Sequence, residues 1–168
     1  MDAHVLSGNL PTKNWSSGAF ADPMAIDGRT IKETISLGMD GCFACPVRCK
    51  KIVKTGPPYN VNPIYGGPEY ETLAALGSFC GVSDLEAICK SHEICNATAM
   101  DTISAGEVVA FAMECYEKGI LTDEDTGGLE LRFGNGEAMV RLLGQIARRQ
   151  GLGDILAEGS KRAAEEIG

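Results

Sequence analysis

The chain is poor in several things at once. Of 168 residues only two are histidine and one is tryptophan, and aromatic side chains make up 6%. No apolar run approaches the roughly 18 residues needed to span a bilayer, which excludes a transmembrane helix. Basic charge is also short. Fifteen Lys and Arg against 23 Asp and Glu give a formal net charge of -8, so no positive field exists to gather phosphate backbones or anionic lipid. Nucleic acid and membrane surfaces are therefore not expected partners. The opening Met1-Asp2-Ala3-His4-Val5-Leu6 lacks both a basic n-region and an apolar h-region, and the expected location is cytoplasmic.

What is present is a core former with an excess of thiols. Apolar residues make up 44% and charged residues 23%, the balance of a globular chain of one-domain length, and we expect a single domain over 1–168. Seven cysteines in a chain without an export signal imply a reducing compartment, with thiols acting as ligands or core residues. The odd count argues against a full disulfide framework.

Residues 1–27 mix Gly, Ser, Asn and Pro without a sustained period and read as an extended segment made to lie on something else. A short helix is expected over 30–39, then the cysteine stretch. Residues 55–68 hold four prolines and three glycines, a loop too irregular for either regular period. The helical body follows. Pro68 suits a first helical turn, with Glu69 and Glu71 at the positive end of the dipole and Leu73, Leu76 and Phe79 on one face. Ser83-Asp84-Leu85-Glu86 matches a capping box; Asp101 or Thr102 opens a longer helix ended by Gly119; Asn135 caps another. A last helix is expected over 154–167. Strand-type alternation is scarce, so the expected class is all-α: an extended segment, short helix and cysteine loop over 1–55, then helices over 56–168.

The most informative stretch is Gly41-Cys42-Phe43-Ala44-Cys45-Pro46-Val47-Arg48-Cys49. C-x2-C-x3-C places three soft thiolates on one tight loop, which suits an iron–sulfur cluster; Arg48 and Lys50 would offset the cluster's negative charge. The alternatives are a zinc site using the C-x2-C pair, or cysteines packed as small hydrophobes. No second C-x2-C or His pair accompanies the loop. Cys80, Cys89, Cys95 and Cys115 fall on predicted helix faces as packed thiols, so a fourth ligand is either one of these or lies outside the chain.

In order along the chain stand Leu10-Pro11-Thr12-Lys13-Asn14, the Cys42-Cys45-Cys49 loop, Gly67-Pro68-Glu69-Tyr70-Glu71-Thr72, Met100-Asp101-Thr102-Ile103-Ser104, Arg132-Phe133-Gly134-Asn135 and Gly151-Leu152-Gly153-Asp154-Ile155-Leu156-Ala157-Glu158-Gly159. This set resembles the aldehyde ferredoxin oxidoreductase family of tungsten-pterin enzymes across nearly the whole chain. The resemblance implies an internal piece, the first of two helical domains that follow a pterin-binding domain. It further implies that Cys42, Cys45 and Cys49 bind a 4Fe-4S cluster beside a tungsten or molybdenum bis-pterin. The fourth cysteine would come from the later domain.

Glu71 falls on the family's proton-handling glutamate, although a first-turn carboxylate favoured by the helix dipole accounts for it equally. Asp101, with Met100 and Asn96, falls on the D-x-x-G-L-D stretch that contacts the pterin. Here that stretch is Asn96-Ala97-Thr98-Ala99-Met100-Asp101, and the amide carries no charge. The implied activity is oxidation of aldehydes to carboxylic acids with ferredoxin as electron acceptor. The isolated piece would be inactive, and its partners would be the rest of its own polypeptide, ferredoxin and a second copy in a homodimer. Reduction of an aromatic thioester is the alternative within the family; a stand-alone iron–sulfur or zinc electron-transfer module is the alternative outside it.

Overall fold

Short apolar stretches broken by glycine and proline make short elements. The computed structural model describes residues 2–168, and the chain opens with α1 (Asp2–Leu6), a 3-10 turn at Pro23–Ile26 and α2 (Gly28–Thr34). The Asp27 carboxylate accepts from the Thr30 amide at 2.7 Å and so closes the first turn of α2. The segment expected to be extended up to residue 27 thus carries helical turns of its own.

Beyond α2 the expectation of helix to residue 39 fails. The chain turns into β1 (Ser36–Asp40), which pairs antiparallel with β2 (Lys50–Val53) in the register Ser36↔Val53, Gly38↔Ile52, Met39↔Lys51 and Asp40↔Lys50. An all-α description therefore needs correcting: the described residues form a multihelical body with one two-stranded sheet. The strands escaped notice because most of β1 is exposed and an irregularity between Ser36 and Gly38 breaks its two-residue period.

The helical body follows its caps. After a 3-10 turn at Pro63–Tyr65 comes α3 (Tyr70–Leu76), which stops at Gly77 and yields to a 3-10 turn at Ser78–Cys80. Asp84, not Ser83, caps α4 (Leu85–Ala97), accepting from the Glu86 and Ala87 amides at 3.0 Å each. Asp101 caps α5 (Thr102–Glu117) through the Ser104 amide, and Asn135 caps α6 (Gly136–Arg148) through that of Ala138. The final stretch is two helices, α7 (Leu152–Leu156) and α8 (Ser160–Ile167), separated at Gly159 with φ +90°.

The core lies where α3 packs on α5 and α4 on α6, filled by Leu73, Leu76, Ile88, Val109, Met113, Met139, Leu142 and Leu143. Gly106 makes the first of these contacts close: a Cβ there would stand 2.7 Å from the Ala75 carbonyl. Among the described residues no single helix is long and apolar enough to cross a membrane.

The caps carry a pH dependence. The Ser104 and Thr30 amides hold the Asp101 and Asp27 carboxyls below their ordinary value of 3.8. A lowered folded-state value means stabilisation that is complete above the unfolded value and lost as pH falls through the folded one. Asn caps as well as Asp but does not titrate. Asp101→Asn is therefore expected to leave the melting temperature at pH 7 nearly unchanged and to reduce its drop between pH 5 and pH 3, as read by circular dichroism.

Candidate functional site

Cys42, Cys45 and Cys49 lie on the loop joining β1 to β2. Left-handed backbone at Ala44 (φ 57°) and Arg48 (φ 51°) curls this loop, and the Cys45 amide donates to the Cys42 carbonyl at 3.0 Å. Gly41 permits the curl, since a Cβ there would meet the Cys45 carbonyl at 3.1 Å. Arg48 returns to Asp40 at 3.4 Å and closes the base. All three thiols are free, with Cys42 and Cys49 exposed and Cys45 half-buried, while Phe43 and Val47 beside them point outward. Among the described residues no three His, Cys, Asp or Glu side chains converge to hold a metal ion. The loop fits an iron–sulfur cluster in donor chemistry and not in the present arrangement of its thiols: it carries three soft ligands close in sequence, one short of a cubane's four.

The remaining thiols lie elsewhere. Cys80, Cys89 and Cys95 are fully buried and Cys115 nearly so. Burial pushes the Cys89 and Cys95 thiols up to about 12 and raises those of Cys80 and Cys115. Thiolate is the reacting species, so accessibility and pKa act together. Brief iodoacetamide treatment of the metal-free folded chain is expected to label Cys42, Cys45 and Cys49 and to spare the other four until urea is added, as mapped by peptide mass spectrometry.

The loop is tied to the N-terminus of α3. The Gly67 amide donates to the Lys51 carbonyl at 2.8 Å, and a Cβ at Gly67 would lie 2.7 Å from Val53 Cγ1. The Lys51 ammonium meets the Glu69 carboxylate at 2.7 Å, so Glu69 is occupied. Glu71, two residues on, is exposed and makes no hydrogen bond or ion pair with a described residue. It borders a cleft of about 210 Å³ together with Pro11, Trp15, Tyr70, Phe79 and Glu107. Burial and the neighbouring Glu71 charge hold the Tyr70 phenol above its ordinary value, and the ring stacks on His4 at 4.4 Å.

Asp101 and Met100 border a second cleft, of about 230 Å³, with Ser104, Leu156 and Gly159. Consecutive residues of α5 serve the two clefts, Ile103 lining the first and Ser104 the second, and a Thr72–Thr102 hydroxyl pair at 2.8 Å ties α3 to the start of α5. Asn96 lines neither. Its amide nitrogen donates to the His92 carbonyl at 2.9 Å on its own helix. His92 itself is buried, which lowers its pKa.

Two residues on the first cleft, Trp15 and Glu107, went unnoticed in the sequence. Trp15 follows the Leu10-Pro11-Thr12-Lys13-Asn14 strap, which lies across the 3-10 turn after α3: Lys13 and Asn14 donate their amides to the Ser78 and Phe79 carbonyls at 3.0 Å. The Asn14 side chain also donates to Glu114 of α5. A lone tryptophan in a Gly/Ser-rich segment was the available signal for this strap; Glu107 gave none.

Known proteins fit this arrangement. The family model described as aldehyde ferredoxin oxidoreductase, domains 2 & 3, matches residues 1–168. The tungsten-containing aldehyde ferredoxin oxidoreductase of Pyrococcus horikoshii is 39% identical over 166 residues, 95% of this chain and 26% of the relative. That of Thermococcus kodakarensis is 39% identical over 163 residues, again 26% of the relative. The chain thus spans about a quarter of the length of these relatives. A solved structure, the active site complex BamBC of benzoyl coenzyme A reductase with 1,5-dienoyl-CoA, superposes with a TM-score of 0.67 at 31% identity, over 83% of this chain and 20% of that one. With the family model matching along its whole length, the chain belongs to the aldehyde ferredoxin oxidoreductase family.

Proposed function

We propose that this chain forms the wall of an active site in a longer oxidoreductase that converts aldehydes to carboxylic acids, with ferredoxin as acceptor, in the cytoplasm. The single observation that carries the reading is the tie between the cysteine loop and the Glu71 end of α3 through Gly67 and Lys51. It sets a prospective electron exit beside a prospective proton acceptor. Oxidation of an aldehyde by water releases two electrons and three protons as the carboxylate forms. When bound, a tungsten or molybdenum bis-pterin and a 4Fe-4S cluster supply the two-electron acceptance and its onward one-electron relay.

The chain's own residues do the rest. Cys42, Cys45 and Cys49 hold three corners of the cluster, with a fourth ligand from outside residues 1–168. A Glu71 carboxylate oxygen, free of other partners and facing a mostly apolar cleft, accepts a proton as water adds to the carbonyl carbon. Asp101 and Met100, which line the second cleft at the head of α5, are the residues that would contact the pterin, the carboxylate as a hydrogen-bond acceptor. Asn96 lines neither cleft and donates one amide hydrogen to the His92 carbonyl, which makes it a weaker candidate for a pterin contact than Asp101. Alone, residues 1–168 carry no activity in this reading, and a second copy pairs with the enzyme only as a homodimer of the longer polypeptide.

Iron and tungsten analysis of the anaerobically purified longer polypeptide, with aldehyde-dependent viologen reduction, tests the proposal. Both metals and dye reduction are expected; absence of both metals rejects it. The likeness to the benzoyl coenzyme A reductase complex favours a second reading, reduction of an aromatic thioester. A substrate panel that includes such a thioester separates the two.

A further inference from the structure

Trp15 and Glu107 border the Glu71 cleft, and the proton chemistry gives neither of them a task. Trp15 is held there at a cost. Lys13, Asn14 and Trp15 have φ values of 46°, 48° and 62°, three successive left-handed residues, none of them glycine. Such backbone persists only where its surroundings over-determine it. Here the Ser78 and Phe79 carbonyls and the Asn14 side-chain bond to Glu114 do so. The strained strap carries an indole that borders the cleft, is 68% exposed to solvent and lies edge-on to Phe79 with centroids 6.0 Å apart.

Glu107 enters from the opposite side. It follows Gly106, which touches Ala75, and Glu71 stands one turn before Ala75 on α3. The two carboxylates therefore face one cleft across the α3–α5 contact, and Glu107, like Glu71, makes no hydrogen bond or ion pair with a described residue. No Lys or Arg is among the residues that line this cleft. An anionic ligand would meet two uncompensated negative charges there, whereas Trp15, Pro11, Phe79 and Ile103 offer an apolar surface. The volume, about 210 Å³, lies below the roughly 300–1,000 Å³ of drug-sized pockets and suits a small molecule.

We infer that Trp15 and Glu107 are specificity-determining residues: the indole receives the uncharged organic group of a small aldehyde, and the Glu107 carboxylate turns away aldehydes that carry an anion. This rests on the reading of Glu71 as the reacting end of the cleft. Butyraldehyde and succinic semialdehyde test it, since both place an aldehyde on a short chain and only the second ends in a carboxylate. In the metal-loaded enzyme Glu107→Gln is expected to raise kcat/KM for succinic semialdehyde relative to butyraldehyde about tenfold, the effect of removing one nearby charge. Trp15→Gly keeps the left-handed backbone without strain and is expected to raise KM for butyraldehyde about tenfold with kcat little changed, while Trp15→Phe restores most of the loss.

A second readout needs no metal. Trp15 is the only tryptophan in residues 1–168, so its emission in this chain reports the cleft directly. Butyraldehyde is expected to shift it saturably, succinic semialdehyde to leave it unchanged, and Glu107→Gln to restore a response to the latter. Unaltered substrate ratios in the variants together with equal emission responses to both aldehydes overturn the inference and leave the Glu71 reading standing. A metal-loaded wild-type enzyme that oxidises no aldehyde overturns both.

Discussion

Replacing Glu71 by glutamine in the metal-loaded enzyme is expected to lower kcat for aldehyde oxidation by about a hundredfold or more, the usual weight of a positioned general base. Iron and tungsten content should remain as in the wild type. The substitution is close to isosteric, and Glu71 makes no hydrogen bond or ion pair with a described residue, so it breaks no local structure. What it removes besides the proton acceptor is one negative charge from the first turn of α3, worth about 0.3–1 kcal/mol of helix-dipole stabilisation. The two roles therefore separate experimentally. A carboxylate that serves only the helix gives a small loss of thermal stability and unchanged kcat, while one that also moves a proton gives the same small loss together with the large drop in kcat. Rates measured with butyraldehyde at saturating concentration in wild type and Glu71→Gln decide the matter.

The second large effect is structural. Gly106→Ala places a Cβ 2.7 Å from the Ala75 carbonyl carbon and oxygen and 2.8 Å from its Cβ, distances at which backbone must move. Overpacking of this kind typically costs about 1–3 kcal/mol, and a clash with helix backbone belongs at about 3, because no flexible side-chain end can yield. For a chain of this size that lowers the melting temperature by roughly 6–12 °C. The same contact keeps Glu71 and Glu107 on one cleft and holds Cys80, whose thiol lies within hydrogen-bond reach of the Ala75 and Gly106 carbonyls. Thermal melts followed by circular dichroism, with Gly28→Ala as a comparison at a position with nothing within 4 Å of its Cβ, measure the expected loss.

How much of this could be read from the residues alone depended on whether the signal was local. Asp101 and Asn135 announce their helices because a cap works on amides two or three residues away, whereas the capping box read at Ser83 falls one residue short of the actual cap, Asp84. The three clustered thiols were legible for the same reason: one loop carries them all. The β1–β2 hairpin was not, because its pairing joins residues across the cysteine loop, both strands are short and β1 is largely exposed, so neither carries a two-residue apolar period. The cleft was half legible. Glu71 and Tyr70 sit in a recognisable motif, but Trp15 and Glu107 come to it by tertiary packing, from a strap some sixty residues upstream in one case and a second turn of α5 in the other. Local reading likewise placed Asn96 in a cofactor motif without showing that its amide donates to the His92 carbonyl.

The most direct test of the account is Mössbauer spectroscopy of the anaerobically purified longer polypeptide, comparing wild type with Cys45→Ser and Cys95→Ser. The account predicts a four-iron cluster signal in the wild type, unchanged in Cys95→Ser and lost or degraded in Cys45→Ser. Iron signals equal in all three proteins, or zinc in place of iron, would contradict it.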